Sequence, residues 1–408
     1  MNCRHCRAEV SLVLIDLGSA PPSNAYLTKL TMRKPEKWFP LKVLVCESCW
    51  LVQAEAYTRA AELFNEEYAY FSSFSDIWLQ HARNYVEAMT ERFSLTAASH
   101  VVEIAANDGY LLQYVKQVGI PCLGIEPTAG TAAAARVKGI TIIEDFFDVR
   151  LANELIKQNK QADLVVANNV LAHVPDINGF VAGIALLLKP QGVVTFEFPH
   201  LMQMIEEKEF DTIYHEHFSY LSMTTVVHTF ELNGLCVFDV EELPTHGGSL
   251  RVFAQRSDSG SYDVRSSVKE LLDRELACGM KTSEYYAGFQ EKADKVKDDF
   301  VSFLIEAKRA GKRVIAYGAA AKGNTLINYA GIRPNLIPCV VDRNPAKQGK
   351  YLPGSRIPIV DESCIMARKP DYVVILPWNI RDEVMVQLEY IREWGGQFVT
   401  AVPGLEVR

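Results

Sequence analysis

Apolar and polar positions along the chain change rhythm several times. Over residues 1–55 neither a helical nor a strand period is sustained for long, which predicts a small irregular unit. From Thr58 to Phe93 the chain reads as helical and aromatic, with Phe64, Tyr68, Tyr70, Phe71, Phe74, Trp78 and Tyr85 interleaved with Ser72, Ser73 and Ser75. Short apolar runs of strand length then alternate with helical segments: His100–Ala105, Cys122–Glu126, Ile140–Ile143, Ala162–Ala167 and Gly192–Phe198. Such alternation implies βαβ crossovers and a parallel sheet. A helix-like stretch near Thr224–Asn233 precedes two more runs, Leu235–Val240 and Gly248–Gln255, whose short connection requires antiparallel neighbours. After a polar linker at Arg256–Tyr262 and a charged helical region from Ser266 to Gly311, a second βα series begins, with runs at Arg313–Tyr317, Pro338–Asp342 and Asp371–Leu376.

A parallel sheet closed by an antiparallel strand pair is the mark of a methyltransferase sheet rather than a dehydrogenase one. With Cys3-x-x-Cys6 and Cys46-x-x-Cys49 pairs in the first 55 residues as well, the expected fold class is α/β: a class I methyltransferase-type doubly wound sheet, preceded by a small N-terminal zinc-binding module and followed by a C-terminal pseudo-Rossmann α/β domain. The boundaries expected are residues 1–57, 58–255 and 256–408. The length of 408 residues suits two or three cores. With 49% hydrophobic and 23% charged residues the composition is globular, and a net charge of −8 argues against nucleic acid or an anionic membrane as partner. The start, Met1-Asn2-Cys3-Arg4-His5-Cys6, lacks a secretory pattern, and no apolar run has the ~20 residues that span a bilayer, so a cytoplasmic protein is expected.

Of nine cysteines, four form two Cys-x-x-Cys knuckles, Cys3/Cys6 and Cys46/Cys49, 39 residues apart (residues 7–45). Each knuckle turns two thiolates toward one point, and four close a tetrahedral zinc sphere with no position left for substrate, so the zinc is expected to be structural. A redox dithiol is the competing reading. Cys122, Cys236, Cys278, Cys339 and Cys364 are scattered singly and read as reduced core thiols.

The cofactor expected at the sheet is S-adenosylmethionine. Glu103-Ile-Ala105-Ala-Asn107-Asp-Gly109 is a strand, a tight turn and a helix start; it keeps one glycine where nucleotide loops usually have more. The next strand ends in Glu126, placed to accept from ribose hydroxyls, and the third in Glu144-Asp145-Phe146, placed to hold the adenine amino group and face. After the fourth strand, Asn168 and Asn169 are expected at the cofactor, with Asn169 and His173 also able to face a substrate.

Tyr214-His215-Glu216-His217 packs two imidazoles, a carboxylate and a phenol into four consecutive positions after the fifth strand. A histidine is the natural base near neutral pH, and methylation at carbon needs one, because a carbon beside a ketone becomes nucleophilic only as an enolate. His215 and His217 on one face of a strand would instead suggest a metal site, but no third ligand is evident. In the second βα series, Gly318-Ala-Ala-Ala-Lys322-Gly323 with Asp342 raises a dinucleotide site, against which the missing second glycine argues. Lys322, Ser249 and Arg251 are candidates to neutralise a diphosphate between the domains.

The two cysteine knuckles, Leu17-Gly-Ser-Ala-Pro-Pro-Ser-Asn-Ala-Tyr26, Tyr68-Ala-Tyr-Phe-Ser-Ser73, His81-Ala-Arg83, the Glu103–Gly109 loop, Tyr214-His-Glu-His217, Thr245-His-Gly-Gly-Ser-Leu-Arg251 and Tyr317-Gly-Ala-Ala-Ala-Lys322-Gly323 together resemble the sugar C-methyltransferase family over nearly the whole chain. The resemblance implies a thymidine-diphosphate-linked 4-keto sugar methylated at carbon 3. It implies His217 as the base, Tyr214, Glu216 and His173 as its supports, and Tyr70, Ser72, Ser73 and His246 toward the substrate. Ala105 stands where many relatives carry glycine. The alternatives are an O- or N-methyltransferase, a nicotinamide enzyme using the C-terminal domain, and a non-catalytic zinc ribbon; nothing in the sequence fixes the sugar, its nucleotide or the oligomeric state, for which a monomer suffices.

Overall fold

The computed structural model describes residues 1–57, 60–63 and 71–408. Its described residues form three sheets. The N-terminal one contradicts the reading of residues 1–55 as irregular: β1 (Leu12–Ala20), β2 (Phe39–Val45) and β3 (Val52–Ala54) are antiparallel neighbours. Two register shifts along the β1–β2 pair, between Val13 and Ile15 and between Asp16 and Ser19, explain why no alternation shows in the sequence. Each bulge inserts an unpaired residue and flips the side chains that follow to the other face.

The second sheet carries the site. It is built from β4 (Val101–Ile104), β5 (Cys122–Ile125), β6 (Ile142–Ile143), β7 (Ala162–Asn168), β8 (Leu188–Pro199), β10 (Leu235–Leu243) and β11 (Ser249–Arg256), in the order β10-β11-β8-β7-β4-β5-β6. The five strands from β8 through β6 run parallel, and β11 lies antiparallel between β8 and β10. The expected antiparallel pair, at Leu235–Val240 and Gly248–Gln255, forms one edge of these seven strands. The chain order reverses beside β4, so ligands belong above the carboxyl ends of β4, β5 and β7. Between β8 and β10, the two-residue strand β9 (Ser219–Tyr220) leaves this sheet and pairs with β3 through Val52↔Tyr220. The N-terminal sheet is thereby completed by the segment that follows the histidine-rich loop.

The aromatic stretch before β4 is broken rather than one helix. Ser75 caps the helix Asp76–Arg92 by accepting from the Trp78 amide, and Ala82, Tyr85, Val86 and Met89 form its buried stripe.

In the C-terminal region β12 (Val314–Tyr317), β13 (Val340–Val341) and β15 (Tyr372–Ile375) match the expected runs. β14 (Ile359–Val360), β16 (Gln397–Thr400) and β17 (Glu406–Val407) complete the order β14-β13-β12-β15-β16-β17. β14 and β17, with two residues each, carry no periodicity to read. The helices Phe289–Arg309 and Ala321–Tyr329 bury Phe289, Phe300 and Leu326 in one core with Tyr26 of the β1–β2 connection and Val43 of β2, so the first and last parts of the chain share a hydrophobic interior. Among the described residues no helix is long and apolar enough to cross a membrane.

Candidate active site

The turn after β4 is shaped by three left-handed residues, Ala105 (φ 59°), Asn107 (φ 49°) and Gly109 (φ 74°). At Gly109 a Cβ would press on Ala135 and Ile140 at 3.2 Å, which accounts for the one glycine retained. The Glu126 carboxylate accepts from the amides of Asn107 and Thr128, both at 2.9 Å, and from the Thr128 hydroxyl, so the second strand's acid braces the first strand's loop. Asn107 Oδ1 in turn accepts from the Ser72 amide at 2.9 Å, bringing the serine pair to the mouth of the cleft, where Ser73 accepts from Lys138 at 2.6 Å. Tyr70 lies outside the described residues.

Around this cleft three buried oxygens, Glu103 Oε2, Asp108 Oδ1 and Asn168 Oδ1, have no hydrogen-bond partner among the described residues. Burial, reinforced by Asp108 and with Tyr110 opposing, pushes Glu103 far above the carboxylate range. Unsatisfied polar atoms at the carboxyl ends of β4 and β7 are what a site built for a polar ligand leaves behind. A polar, hydroxylated cofactor therefore fits these residues. Asp145 is engaged by Arg150 at 2.7 Å beside the exposed Phe146 ring, and Asn169, left-handed at φ 53°, donates its amide to the Glu197 carbonyl.

Across the cleft the histidine-rich loop divides its residues between two duties. The His217 Nδ1–H donates to the Thr212 carbonyl at 2.8 Å, which leaves Nε2 with the lone pair. Its ring centre lies 4.0 Å from that of Tyr214 and 4.7 Å from that of His173. His173 Nδ1 is fixed on the Glu216 carbonyl at 2.7 Å. Burial, with the charges of His173, Lys322 and His246, holds His217 well below the usual imidazole range, and burial holds His173 down to about 4; both are neutral at pH 7.

The other two residues of the quartet turn away. His215 Nε2 donates to the Phe39 and Pro40 carbonyls at the start of β2, and Glu216 Oε1 accepts from the amide and side chain of Asn24. Burial raises Glu216. The sequence-level alternative of His215 and His217 sharing a metal on one strand face fails: they lie in a turn ahead of β9, with their rings on different partners.

The β10–β11 turn brings His246 in at φ 58°, with its ring centre 5.2 Å from that of Trp78. Trp78 stacks on His81 at 4.8 Å and lies 6.1 Å from Tyr110, making an aromatic wall from the β4 loop to the β10–β11 turn. His81 Nε2 is 2.8 Å from Glu197, which also takes Arg251 at 2.6 Å. Arg251 further pairs with Glu241 at 3.0 Å, so its guanidinium is committed inside the sheet, and Ser249 donates to the Thr245 carbonyl. Trp78 and His81 escaped the sequence reading as site residues. Their spacing of three on one helix face beside the Ser72/Ser73 pair was the available signal.

The four knuckle thiols meet as expected. Cys3 and Cys49 Sγ lie 3.6 Å apart, Cys6 and Cys46 3.5 Å, and all four atoms fall within 4.8 Å of one another. Tetrahedral zinc with ~2.3 Å bonds needs sulfur edges of about 3.8 Å, so the set fits a closed zinc site. His5 is not a fifth ligand but a link, bonding Asn178 and His228 at 2.7 Å.

In the C-terminal sheet the dinucleotide alternative meets a filled cleft. Asp342 accepts from the Ala319 and Asn344 amides, while the Ala319 carbonyl takes the Tyr26 hydroxyl at 2.6 Å and Lys347 at 2.8 Å.

Three family profiles match successive parts of the chain: a zinc binding domain at residues 3–64, a methyltransferase domain at 78–240 and a C-methyltransferase C-terminal domain at 244–403. The chain is 33% identical over 402 residues to the C-methyltransferase NovU of Streptomyces niveus, covering 98% of this chain and 95% of that protein. A ubiquinone biosynthesis O-methyltransferase of Rhodopseudomonas palustris (strain TIE-1) is 27% identical over 110 residues, 26% of this chain and 43% of its own length. Among solved structures, magnesium protoporphyrin IX methyltransferase (ChlM) of Synechocystis PCC 6803 with bound SAH aligns at a TM-score of 0.36 and 16% identity, over 44% of this chain and 83% of its own.

Proposed function

Because the chain belongs to the C-methyltransferase family, we propose that it methylates carbon 3 of a thymidine-diphosphate-linked 4-keto sugar with S-adenosylmethionine as donor. When bound, that cofactor supplies an electrophilic methyl on a sulfonium. Glu126, Glu103, Asn107, Asn168 and Asn169 would hold its polar groups above β4, β5 and β7, with Asp145 and Phe146 at the adenine.

The observation that carries the reading is the tautomer of His217. With Nδ1–H tied to the Thr212 carbonyl, Nε2 is the basic atom, and the lowered proton affinity keeps it unprotonated at neutral pH. Nε2 takes the proton beside the ketone, and Tyr214 and His173 pack on the imidazole and fix its plane. Glu216, bonded to Asn24, anchors the loop to the β1–β2 connection and acts on the base through position rather than contact. The zinc staples the N-terminal sheet and has no coordination position for substrate. A thiol-rich zinc site beside free cysteines suits the reducing cytoplasm.

The test is substrate proton exchange in heavy water with S-adenosylhomocysteine in place of the donor. Wild type should wash out the proton at carbon 3, and His217→Asn should fold normally while losing about 10²–10⁴-fold in both exchange and turnover. A product methylated on oxygen, or full turnover in His217→Asn, would end the proposal.

A further inference from the structure

The seam between the catalytic and C-terminal sheets holds a charge cluster that proton abstraction by His217 leaves without a task. Glu209 and Asp211, 2% and 0% exposed, flank Phe210 just ahead of the histidine-rich loop. Asp211 Oδ2 accepts from Trp378 Nε1 at 2.8 Å. Its Oδ1 and Glu209 Oε1 are buried without a partner among the described residues. Lys322, in the first turn of the helix Ala321–Tyr329, places Nζ 3.2 Å from the His246 carbonyl and 4.3 Å from the centre of the Trp378 ring.

The backbone is shaped to let these groups meet. Gly247 sits at φ 98°, and a Cβ there would fall 2.0 Å from Glu209 Oε1 and 2.5 Å from Trp378 Cη2. Thr325 Oγ1 donates to the Ile213 carbonyl at 2.8 Å, which ties the helix of Lys322 to the loop of His217.

The charges in this seam favour one small anion over a diphosphate. Burial pushes Glu209 up to about 8 and Asp211 up to about 6, each against the pull of Lys322. Near neutral pH the two acids therefore share about one proton and one negative charge, matched by one ammonium. A diphosphate set here would bring at least two negative charges against one ammonium and the remaining carboxylate. A single oxyanion arising beside His217 would meet the ammonium of Lys322. His217 is faced by Lys322, His173 and His246, and Lys322 by Asp211 and Glu209.

Resting on the carbon-methylation reading above, we propose that Lys322 donates a hydrogen bond to the enolate oxygen of the substrate, and that Glu209, Asp211 and Trp378 are positioning residues that hold its ammonium there. The C–H bond pair becomes the new carbon–carbon π bond, the carbonyl π pair moves onto oxygen, and the proton goes to His217 Nε2. The enolate carbon then takes the methyl, the methyl–sulfur pair stays on sulfur, and the ketone re-forms. Lys322 keeps its proton throughout. This replaces the diphosphate contact expected of Lys322 from sequence.

The test uses the full zinc-bound chain with S-adenosylhomocysteine and thymidine-diphosphate-linked 4-keto-6-deoxyglucose in heavy water. Lys322→Met should slow exchange about 10²–10³-fold, the cost of removing one oxyanion donor, and leave thymidine diphosphate affinity within about twofold of wild type. Lys322→Arg should recover at least about tenfold of that loss, because a cation is restored. Trp378→Phe, which keeps the ring and removes the donor to Asp211, should lower kcat without raising KM. In a histidine NMR titration that needs no substrate, Lys322→Met should move the His217 resonance toward a higher pKa. Lys322→Met exchanging at the wild-type rate, or losing thymidine diphosphate affinity with exchange intact, overturns the role of Lys322 and leaves carbon methylation standing. Wild type that exchanges nothing overturns both.

Discussion

The turn after β4 and the turn after β12 occupy the same place in the parallel parts of two sheets, and each faces an acid at the end of the neighbouring strand. Glu126 accepts from the Asn107 amide at 2.9 Å, and Asp342 from the Ala319 amide at 2.7 Å. Beyond that bond they diverge. Around the first, Glu103, Asp108 and Asn168 each keep a buried oxygen without a partner among the described residues. At the second, Tyr26 from the β1–β2 connection and Lys347 converge on the Ala319 carbonyl, and a Cβ on Gly318 would strike Pro377 at 2.4 Å. Two sheets with like pattern thus differ in whether the polar atoms around the turn are left wanting or satisfied. The strand-end acid does not mark a nucleotide site; the polar atoms left wanting around it do.

The largest effect that would break this contrast is on cofactor affinity. Glu126→Ala should weaken S-adenosylmethionine binding at least about 100-fold by calorimetry, since it removes both the carboxylate and the brace of its loop. Asp342→Ala should leave that affinity unchanged, lower only the unfolding temperature, and create no affinity for a nicotinamide dinucleotide. Equal losses in the two variants would erase the distinction.

Next in size is the pH dependence of stability, which should be concentrated in the catalytic half. His173 and His246 are each held down to about 4 from 6.5, chiefly by burial, so the unfolded chain binds more protons at low pH. Their contribution is full above 6.5 and is lost as the pH falls toward 4. Glu209, raised to about 8 from 4.5, has the opposite sign: its contribution is full below 4.5 and is lost as the pH climbs through 8. Thermal unfolding should peak between these limbs, and His173→Asn should flatten the acid limb. An unchanged acid limb in that variant would mean the loss arises elsewhere.

A smaller effect is expected at the filled cleft. Tyr26→Phe removes the donor to Ala319 and should cost about 1 kcal/mol in urea unfolding, with turnover intact. Smallest is Ala105→Gly, which relieves a left-handed alanine at φ 59°. A gain of about 0.5–1 kcal/mol is expected, and a loss would show that the methyl packs usefully.

Legibility followed the length of the pattern. The runs that became β4, β5, β7, β8, β10 and β11 are long enough to carry it, and the short link at Pro244–Gly247 already forced the antiparallel pair. The strands β14 and β17, two residues each, and the bulged β1 are too short or too irregular for any period to survive. In the site, His217 was legible as a base because of the residue types packed around it. That His215 and Glu216 turn toward β2 and Asn24 was not, since neighbours in sequence share no partner until the chain has folded. The cysteines taken as single show the same limit: Cys339 and Cys364, 25 positions apart, lie with sulfurs 3.7 Å from each other.

By itself the sequence determined what is local or strongly typed: two knuckles with zinc spacing, the alternation that demands parallel sheets, and a loop dense in proton-transfer groups. Only the tertiary structure decided which of two similar turns keeps buried oxygens without partners among the described residues, which imidazole takes the Thr212 carbonyl, and that Glu209, Asp211, Lys322 and Trp378 meet at one seam. The physical reason is that hydrogen bonds and burial join residues 100 or more positions apart, as Trp378 and Asp211 are, and no periodicity along the chain encodes such a meeting.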